Sequence, residues 1–300
     1  MRIDPQFVQG LVGALNQNTA HEQQYTTEMS TGVIVNSLSD NPVAAGQDYL
    51  LRSTASVNDN FVQTAGGVQS MLQVTDTALG SVVTQITQAI SLATEGNNGT
   101  LNSSNLQSIS NQLSGIRSEI MSLANTSYQG QFLFSGSQTS TQPFSLDNST
   151  TPETVIYSGD SARETLQSPT GQKFSTNLPG DQIFGSGSSG ILATLSNLIA
   201  EFSSGVTGGA SVSNAAALNS GLQSISNQRV VLDNSLTSLQ SSSTYAQTQT
   251  AQLQAAQDAL IQTNPTKIAT ELSATETQHT ALIDMIGSLD QQPTLFDVLR

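Results

Sequence analysis

Apolar residues recur at alternating spacings of four and three between positions 61 and 93. Only Thr75 is polar in this stripe, whose members are Phe61, Ala65, Val68, Leu72, Thr75, Leu79, Val82, Ile86, Ala89 and Ala93. Such a seven-residue repeat is typical of a long α-helix that buries one narrow seam against other helices. Upstream, Asp40-Asn41-Pro42 is a helix start signal, because Asp or Asn caps free N–H groups and proline suits the first turn. We therefore expect a helix from about residue 42 to about residue 95, roughly 75–80 Å long.

Five further segments have the helical period. Residues 5–31 form the first, although two glycines weaken it by about 1 kcal/mol each relative to alanine. The second begins near Asn102, ends at Tyr128 and has the stripe Leu106, Ile109, Leu113, Ile116, Ile120 and Leu123. The others begin at Ile191, at Leu218 and, after the Asn264-Pro265 break, at Ile268. The long helices at 42–95 and from Leu218 are of similar length.

Between residues 137 and 190 the pattern changes. Prolines exclude long helices there, and glycines separate short strand-like runs. The runs are Val155–Tyr157, Glu164–Leu166 and Gln172–Phe174, and Phe132–Phe134 predicts a further short strand just before them. This segment is expected to be a small β-rich insertion.

The order of these elements predicts the fold class. Long helices on both sides of the insertion can bury their seams only by lying together, so we expect a mainly α protein. It would be a long antiparallel helical rod, a coiled-coil bundle, with a small β-rich inserted domain. The rod would comprise residues 41–136 and 191–263, and the outer domain residues 137–190. The expected rod core is Phe61, Val68, Leu72, Leu79, Val82, Ile86, Leu113, Ile116, Ile120, Leu232, Leu236 and Leu239.

Composition narrows the classes of partner. Only 10% of the residues are charged, against about 25% in average soluble domains, so Ser, Thr, Gln and Asn cover most of the surface. Such a surface suits packing against copies of the same chain, and it is equally compatible with an ordinary polar surface. The net charge of −14 argues against nucleic acid and anionic membranes as partners. The first residues contain no apolar signal segment, so an exported chain would leave without a cleaved signal peptide.

Candidate chemistry is sparse. His21 and His279 lie far apart in sequence, and the chain has no cysteine to complete a metal site. Gly185-Ser-Gly-Ser-Ser-Gly190 has the spacing of a dinucleotide-binding loop but no βαβ unit follows it, which favours a linker. We therefore expect no catalytic residue, no cofactor, no metal and no enzymatic activity.

Several stretches resemble the flagellin family, and within it the hook-associated junction proteins. These stretches are Met1-Arg-Ile3, Ser30-Thr-Gly32, Ser39-Asp-Asn-Pro-Val-Ala-Ala45, Ile116-Arg117, Leu123-Ala-Asn125, Gln131-Phe-Leu-Phe-Ser-Gly136, Val155-Ile-Tyr-Ser-Gly-Asp160, Ala269-Thr-Glu-Leu272 and Thr294-Leu-Phe-Asp297. Asn41 replaces the second Asp that is usual in the family and keeps the ability to cap a helix. The matches cover both ends and the middle of the chain.

The resemblance implies a structural adaptor of the bacterial flagellum. Residues 1–40 and 264–300 would form a terminal coiled-coil domain that orders on assembly. Its expected seam residues are Phe7, Leu11, Tyr25, Met29, Leu272, Leu282 and Ile286. The implied partners are identical subunits in a ring, a neighbouring hook-associated protein, flagellin and an export chaperone at the C-terminal helix. The implied location is extracellular, on the flagellum, after type III export.

Two alternatives stay open at this stage. The ending Val298-Leu-Arg300 resembles filament flagellin, whereas the Asn-Pro-Val-Ala-Ala and Phe-Leu-Phe-Ser-Gly motifs favour the junction adaptor. The β-rich insertion could also carry a ligand-binding or enzymatic role, which would require a pocket with convergent polar groups.

Overall fold

A computed structural model describes residues 5–290 of the chain. Seven helices run Pro5–Thr31 (α1), Pro42–Gly96 (α2), Ser103–Ala124 (α3), Gly180–Phe184 (α4), Ile191–Ser203 (α5), Gly209–Ile261 (α6) and Pro265–Asp290 (α7). Six short strands run Ser127–Tyr128 (β1), Gln131–Phe132 (β2), Phe144–Asp147 (β3), Thr154–Tyr157 (β4), Thr165–Gln167 (β5) and Lys173–Ser175 (β6). The expected fold class is confirmed: the protein is mainly α, with long helices and a small β-rich insertion. The motifs at residues 1–3 and 294–300 lie outside the described residues.

The start of α2 confirms the predicted cap. Asn41 accepts a hydrogen bond from the Ala44 N–H at 3.1 Å through its side-chain oxygen. The Asp40 carboxylate accepts the N–H groups of Asn36 at 3.0 Å and Ser37 at 2.8 Å, which holds the turn that leads into the helix. Capping of this kind stabilises a helix by about 1 kcal/mol. The sequence therefore sets the first residue of α2 through local hydrogen bonds.

Several predicted boundaries are wrong. Helix α3 ends at Ala124 rather than at Tyr128, because Tyr128 belongs to the hairpin of β1 and β2. That hairpin turns at Gln129 and Gly130, which both have positive φ. The predicted strand Phe132–Phe134 is reduced to its first residue. Helix α6 begins at Gly209, nine residues before Leu218, and strand β3 and helix α4 were not predicted.

The six strands form three separate antiparallel pairs: β1 with β2, β3 with β4, and β5 with β6. In the second pair, Phe144 lies opposite Tyr157 and Asp147 lies opposite Thr154. A two-stranded hairpin is marginal on its own in water, so each pair needs support from other elements. Strand β3 lies against α3, and β4 lies against α5.

The described residues fall into two compact units. Unit 1 is drawn from Met1–Val57 and Thr248–Arg300, and unit 2 from Asn58–Gln247. Both long helices, α2 and α6, contribute residues to each unit.

Unit 2 contains a large apolar core and a second, smaller apolar cluster. Ten of the residues expected in the rod core are buried: Leu72, Leu79, Val82, Ile86, Leu113, Ile116, Ile120 and Leu232 in the large core, and Phe61 and Leu239 in the smaller cluster. Val68 and Leu236 are half-buried at the edge of the large core. The aromatic rings of Phe134, Phe144 and Phe184 extend the same core into the β-rich segment, with edge-to-face centroid distances of 5.2 and 5.4 Å. The hairpin β3–β4 therefore shares its core with the helices of its unit.

Arg229 interrupts the apolar stripe of α6 for a structural reason. Its guanidinium donates two hydrogen bonds to Asp76 on α2, at 2.7 and 3.0 Å. The side chain lies over Gly80, where a β-carbon would be 3.6 Å from the guanidinium carbon. This bidentate pair raises the pKa of Arg229 through the Asp76 hydrogen bonds. It also specifies how α2 and α6 are aligned.

The α2 seam yields a matched test of core packing. Val82→Ala removes two carbon atoms from a side chain that is 0% exposed, whereas Val230→Ala removes them from one that is 59% exposed. Both changes replace the same residue in a helix, so helix propensity changes equally. We expect Val82→Ala to lower the free energy of unfolding by about 2 kcal/mol, and Val230→Ala by well under 1 kcal/mol. Urea denaturation followed by circular dichroism measures both, and equal losses would contradict the assignment of the seam.

Candidate assembly surfaces

In unit 1 the terminal helices α1 and α7 lie side by side and run antiparallel. Two backbone hydrogen bonds link the segments next to their shared end. The Ile34 N–H donates to the Ile261 carbonyl at 2.7 Å, and the Thr263 N–H donates to the Gly32 carbonyl at 3.0 Å. Further along, the Asn18 amide donates to the Gln278 side-chain oxygen at 3.4 Å. The two helices therefore pair along most of their described length.

Polar groups occupy much of the seam between α1 and α7. Asn18, Glu28 and Thr275 are all buried there. Gln24 donates to the Glu28 carboxylate at 2.8 Å, one turn away on the same helix. Burying polar groups costs free energy unless hydrogen bonds satisfy them, so this seam contributes less stability than an apolar one of equal length.

The sequence-predicted seam residues divide into two sets. Leu11, Tyr25, Leu272, Leu282 and Ile286 are half-buried. Phe7 and Met29 are exposed. Phe7 lies near the start of α1 and Met29 near its end. Whether these residues form a seam between subunits stays a prediction.

Unit 1 exposes its large apolar side chains and buries few. Among the described residues of this unit, the buried apolar side chains are Ala44, Ile261 and Ile268. Its exposed large apolar side chains are Phe7, Val8, Val12, Met29, Ile34, Leu38, Val43, Tyr49, Leu50, Val57, Ile283 and Met285. Exposed apolar surface of this extent marks a surface that binds another protein. Unit 2 has the opposite distribution, with most of the buried core.

In unit 2, motif residues that are distant in sequence meet at the base of the β3–β4 hairpin. Asn125, just after α3, donates to the Phe144 carbonyl at 2.9 Å and accepts the Phe144 N–H at 2.9 Å. Its amide thus replaces a neighbouring strand on one edge of β3, while Tyr157 on β4 pairs with the other edge. The Leu-Ala-Asn motif therefore docks the hairpin on the end of α3.

The loops that carry the motifs at 133–136 and 155–160 are joined by Asp160. Its carboxylate accepts the Ser137 N–H at 2.8 Å and the Ala162 N–H at 3.0 Å, and it also accepts the Ser137 hydroxyl. The Ser137 hydroxyl bond is the main reason that the pKa of Asp160 lies below its usual value. Gly136, with φ of 70°, lies directly beneath, where a β-carbon would be 2.1 Å from the carboxylate. These residues form a structural junction between the two loops.

Tyr157 completes this junction. Its hydroxyl lies 2.9 Å from the carbonyl oxygens of both Phe134 and Asp160, so it donates to one of them at a time. Burial raises the pKa of Tyr157 to about 12. A β-carbon on Gly159 would lie 2.5 Å from this hydroxyl, which explains why glycine occupies that position of the motif.

Arg117 joins three segments of unit 2. Its guanidinium is buried, donates to the Ser196 hydroxyl on α5 at 2.9 Å and forms an ion pair with Glu153 just before β4. In the sequence, Arg117 is part of a motif and stands next to the apolar stripe of α3, which could have indicated a buried, paired charge. Its partners could not be identified from the sequence, because they lie 36 and 79 residues away.

The two histidines lie on the terminal helices α1 and α7. His21 is exposed and stacks on Tyr25, with ring centroids 6.1 Å apart, and His279 is half-buried on α7. Within residues 5–290, no cluster of three or more His, Asp or Glu side chains could hold a metal ion. In the same range, no helix is long and apolar enough to cross a lipid bilayer.

Comparison with known proteins agrees with the motifs. Residues 11–139 match the bacterial flagellin N-terminal helical region. Flagellar hook-associated protein 3 of Escherichia coli K12 is 27% identical over 189 residues, which cover 61% of this chain and 59% of the relative. The protein of the same name from Salmonella typhimurium LT2 is 30% identical over 189 residues, covering 62% and 57%. The match thus spans less than two thirds of the length of either relative.

Two solved structures share the fold. A flagellar hook-associated protein of Vibrio parahaemolyticus superposes with a TM-score of 0.67 at 19% identity, covering 74% of this chain and 100% of the other. The flagellar junction protein of Legionella pneumophila superposes with a TM-score of 0.53 at 15% identity, covering 64% and 99%. At these identities the comparison establishes the fold alone.

The Asn125 amide yields a test of the junction. Asn125→Ala leaves the buried N–H of Phe144 without its partner, whereas the Phe144 carbonyl keeps the hydrogen bond that the Gln142 amide donates at 3.1 Å. We expect the free energy of unfolding to fall by about 1–3 kcal/mol. Asn105→Ala, at an exposed position of α3, is the control and is expected to stay within about 0.5 kcal/mol of the unsubstituted protein. Urea unfolding monitored by circular dichroism decides, and an unchanged midpoint for Asn125→Ala would refute the docking role.

Tyr157 yields a pH test. Because its pKa is raised in the folded state, the neutral hydroxyl stabilises the fold fully below the ordinary tyrosine pKa of about 10. That contribution is lost as the pH rises from 10.0 through the folded-state value of about 12. Absorbance titration at the tyrosinate band, with Tyr157→Phe as the reference, should show one group ionising near the upper value. A difference spectrum that develops around the ordinary pKa would contradict the assigned environment.

Proposed function

We propose that this chain, whose residues 11–139 match the bacterial flagellin N-terminal helical region, is a structural adaptor of the bacterial flagellum. It joins the hook region to the filament by helical assembly with copies of itself. The observation that carries this proposal is the composition of unit 1, which exposes a dozen large apolar side chains and buries only Ala44, Ile261 and Ile268 among its described residues. Exposed apolar surface of that kind supports binding to other subunits.

Two features favour a junction adaptor over a filament flagellin. Both curated relatives described above are named flagellar hook-associated protein 3. The segment Asn41-Pro-Val-Ala-Ala45 also has the form expected of the adaptors. The ending Val298-Leu-Arg300 favours the second candidate, a flagellin that builds the filament. The number of copies per flagellum separates the two, because an adaptor forms a short ring and a flagellin is present in thousands.

We further propose three domains: a terminal coiled-coil domain (1–40 and 264–300) that orders on assembly, a rod domain (41–136 and 191–263) and an outer β-rich domain (137–190). The polar seam of α1 and α7 supports this, because buried Asn18 and Glu28 weaken the pair in isolation. The glycines Gly10 and Gly13 weaken α1 further.

The remaining partners follow from an adaptor role. We propose that the chain contacts a neighbouring hook-associated protein on one side and flagellin on the other. An export chaperone would hold the C-terminal helix before assembly, and the chain would reach the cell exterior through the flagellar type III apparatus without cleavage of a signal peptide. An adaptor role requires no catalytic step or cofactor, and we propose none.

Matched isoleucines test the proposal. Ile283 on α7 is 49% exposed and Ile156 on β4 is 45% exposed. Ile283→Glu puts a charge on the surface that other subunits would cover. We therefore expect the amount of this chain in flagella sheared from cells to fall at least about tenfold. Ile156→Glu places the same charge on the β-rich segment and should leave incorporation unchanged. Immunoblots of sheared flagella measure both, and circular dichroism verifies that both variants fold.

Equal incorporation of both variants would contradict the proposal that other subunits cover unit 1.

Limited proteolysis of the purified monomer with mass spectrometry tests the terminal segments separately. We expect a protected fragment of about residues 40–262, since weakly paired terminal helices open readily. Resistance of the whole chain would overturn ordering on assembly while leaving the adaptor role intact.

A further inference from the structure

We propose that Asn98 is a site of spontaneous covalent modification, at which the side-chain amide becomes a carboxylate through a cyclic imide formed with Gly99. The two residues lie in the turn between α2 and α3, within unit 2. The reaction consumes only water, so it does not depend on assembly into a flagellum. It adds one negative charge to a chain whose net charge is −14.

The reaction begins when a main-chain nitrogen attacks the neighbouring side chain. The Gly99 nitrogen gives up its proton to hydroxide and bonds to Cγ of Asn98, and the bond from Cγ to Nδ2 breaks as ammonia leaves. Water then adds to one of the two imide carbonyls and opens the ring. Cleavage between the nitrogen and Cγ gives aspartate. Cleavage between the nitrogen and the main-chain carbonyl carbon gives isoaspartate, in which the main chain runs through Cγ.

The first observation is that the attacking nitrogen is accessible. Asn98 and Gly99 form the only Asn-Gly pair in the sequence, and both are exposed. Glycine has no β-carbon to shield its nitrogen from the preceding side chain. Apart from its chain neighbours, no heavy atom lies within 4 Å of where a β-carbon of Gly99 would be. Attack within a chain is favoured because the reacting groups are already neighbours.

The second observation is that hydrogen bonds leave both reacting groups free. In the part of the chain that the structure describes, neither the Asn98 side chain nor the Gly99 N–H has a hydrogen-bond partner. An amide in a hydrogen bond must break that bond before it can rotate, and a bonded N–H must break its own before the nitrogen can attack. The Asn98-Gly99 pair therefore pays neither cost.

Asn97, one residue earlier, is the natural comparison. It is half-buried, and its side-chain oxygen accepts a hydrogen bond from the Ser211 hydroxyl on α6. The nitrogen that would attack it belongs to Asn98, whose N–H donates to the Glu95 carbonyl at 3.1 Å. Both reacting groups are thus held. One turn therefore contains a protected asparagine next to an unprotected one.

Two other asparagines outside the helices are held in similar ways. The Ser149 N–H, whose nitrogen would attack Asn148, donates to the Asp147 carboxylate at 2.9 Å. The Asn102 side chain accepts the Asn105 N–H at 2.8 Å and caps α3. A position in a turn or at a helix end is therefore not sufficient for reaction.

The fold tolerates either product because the turn is anchored on both sides of Asn98. On one side the Phe202 ring lies against Gly96, where a β-carbon would be 2.5 Å from it. On the other side Leu101 packs against the apolar core. Residues 98–100 between these anchors are exposed and can accommodate the extra main-chain carbon of isoaspartate. We therefore expect the modified chain to keep its circular dichroism spectrum.

Incubation of the full-length protein in H₂¹⁸O, followed by peptide mapping with mass spectrometry, measures the reaction. Opening of the imide in this solvent raises the mass of the peptide by about 3 Da, against about 1 Da for conversion before the incubation. We expect the label to enter at Asn98 at least about tenfold faster than at Asn97. The rate should rise with pH, because the nitrogen must lose its proton. Both aspartyl and isoaspartyl peptides should form, since direct hydrolysis of the amide gives aspartate alone.

Asn98→Gln is the matched control, because it keeps an amide whose longer side chain disfavours ring closure. We expect this variant to react at least about tenfold more slowly at position 98 and to gain less of the acidic form on isoelectric focusing. The urea-unfolded chain gives the rate of an unconstrained Asn-Gly pair, and the folded protein should react within about tenfold of it. A slower reaction in the folded protein, a product without isoaspartate, or an equal gain of the acidic form in Asn98→Gln would each overturn the inference.

Discussion

Burial of a seven-residue apolar stripe on α2 is the constraint on which the rest of unit 2 depends. Leu79, Val82 and Ile86 are completely buried, and α3, α5 and α6 supply the surfaces that cover them. Because the stripe is straight and continuous, its partners must also be helices that keep the same period. The β-rich segment is an extension of this core, since Phe134, Phe144 and Phe184 pack in the same cluster. Short two-stranded hairpins would not persist without that support.

The distribution of apolar residues between the two units links stability to assembly. Unit 2 holds nearly all of the buried large apolar side chains, whereas unit 1 leaves twelve of its own exposed. A chain with few charged groups can form extensive contacts with copies of itself, since few charges need to lose their hydration. The proposed role as a flagellar adaptor therefore rests on the apolar side chains that unit 1 leaves exposed as much as on those that unit 2 buries.

The motif residues contribute architecture rather than chemistry. Asn125 substitutes for a strand, and Asp160 satisfies the N–H groups of two loops. Arg117 occupies a buried position where leaving it unpaired would be costly. Such groups specify one arrangement of hairpin and helix, because alternative packings would leave buried polar atoms without partners. Their presence explains how a small β-rich segment can be positioned by only a few contacts.

The sequence by itself determined the helices. Helical periodicity and capping depend on residues three or four positions apart, so Pro42 as the first residue of α2 and the break before α7 were predictable. The tertiary structure alone decided the pairing of Asn125 with Phe144, the partners of Arg117 and the short strand β3, since those contacts join residues far apart in the chain. It also decided which apolar residues stay exposed. Val43, Leu50 and Val57 are apolar residues of α2 that stay exposed, whereas Leu79, Val82 and Ile86 of the same helix are buried.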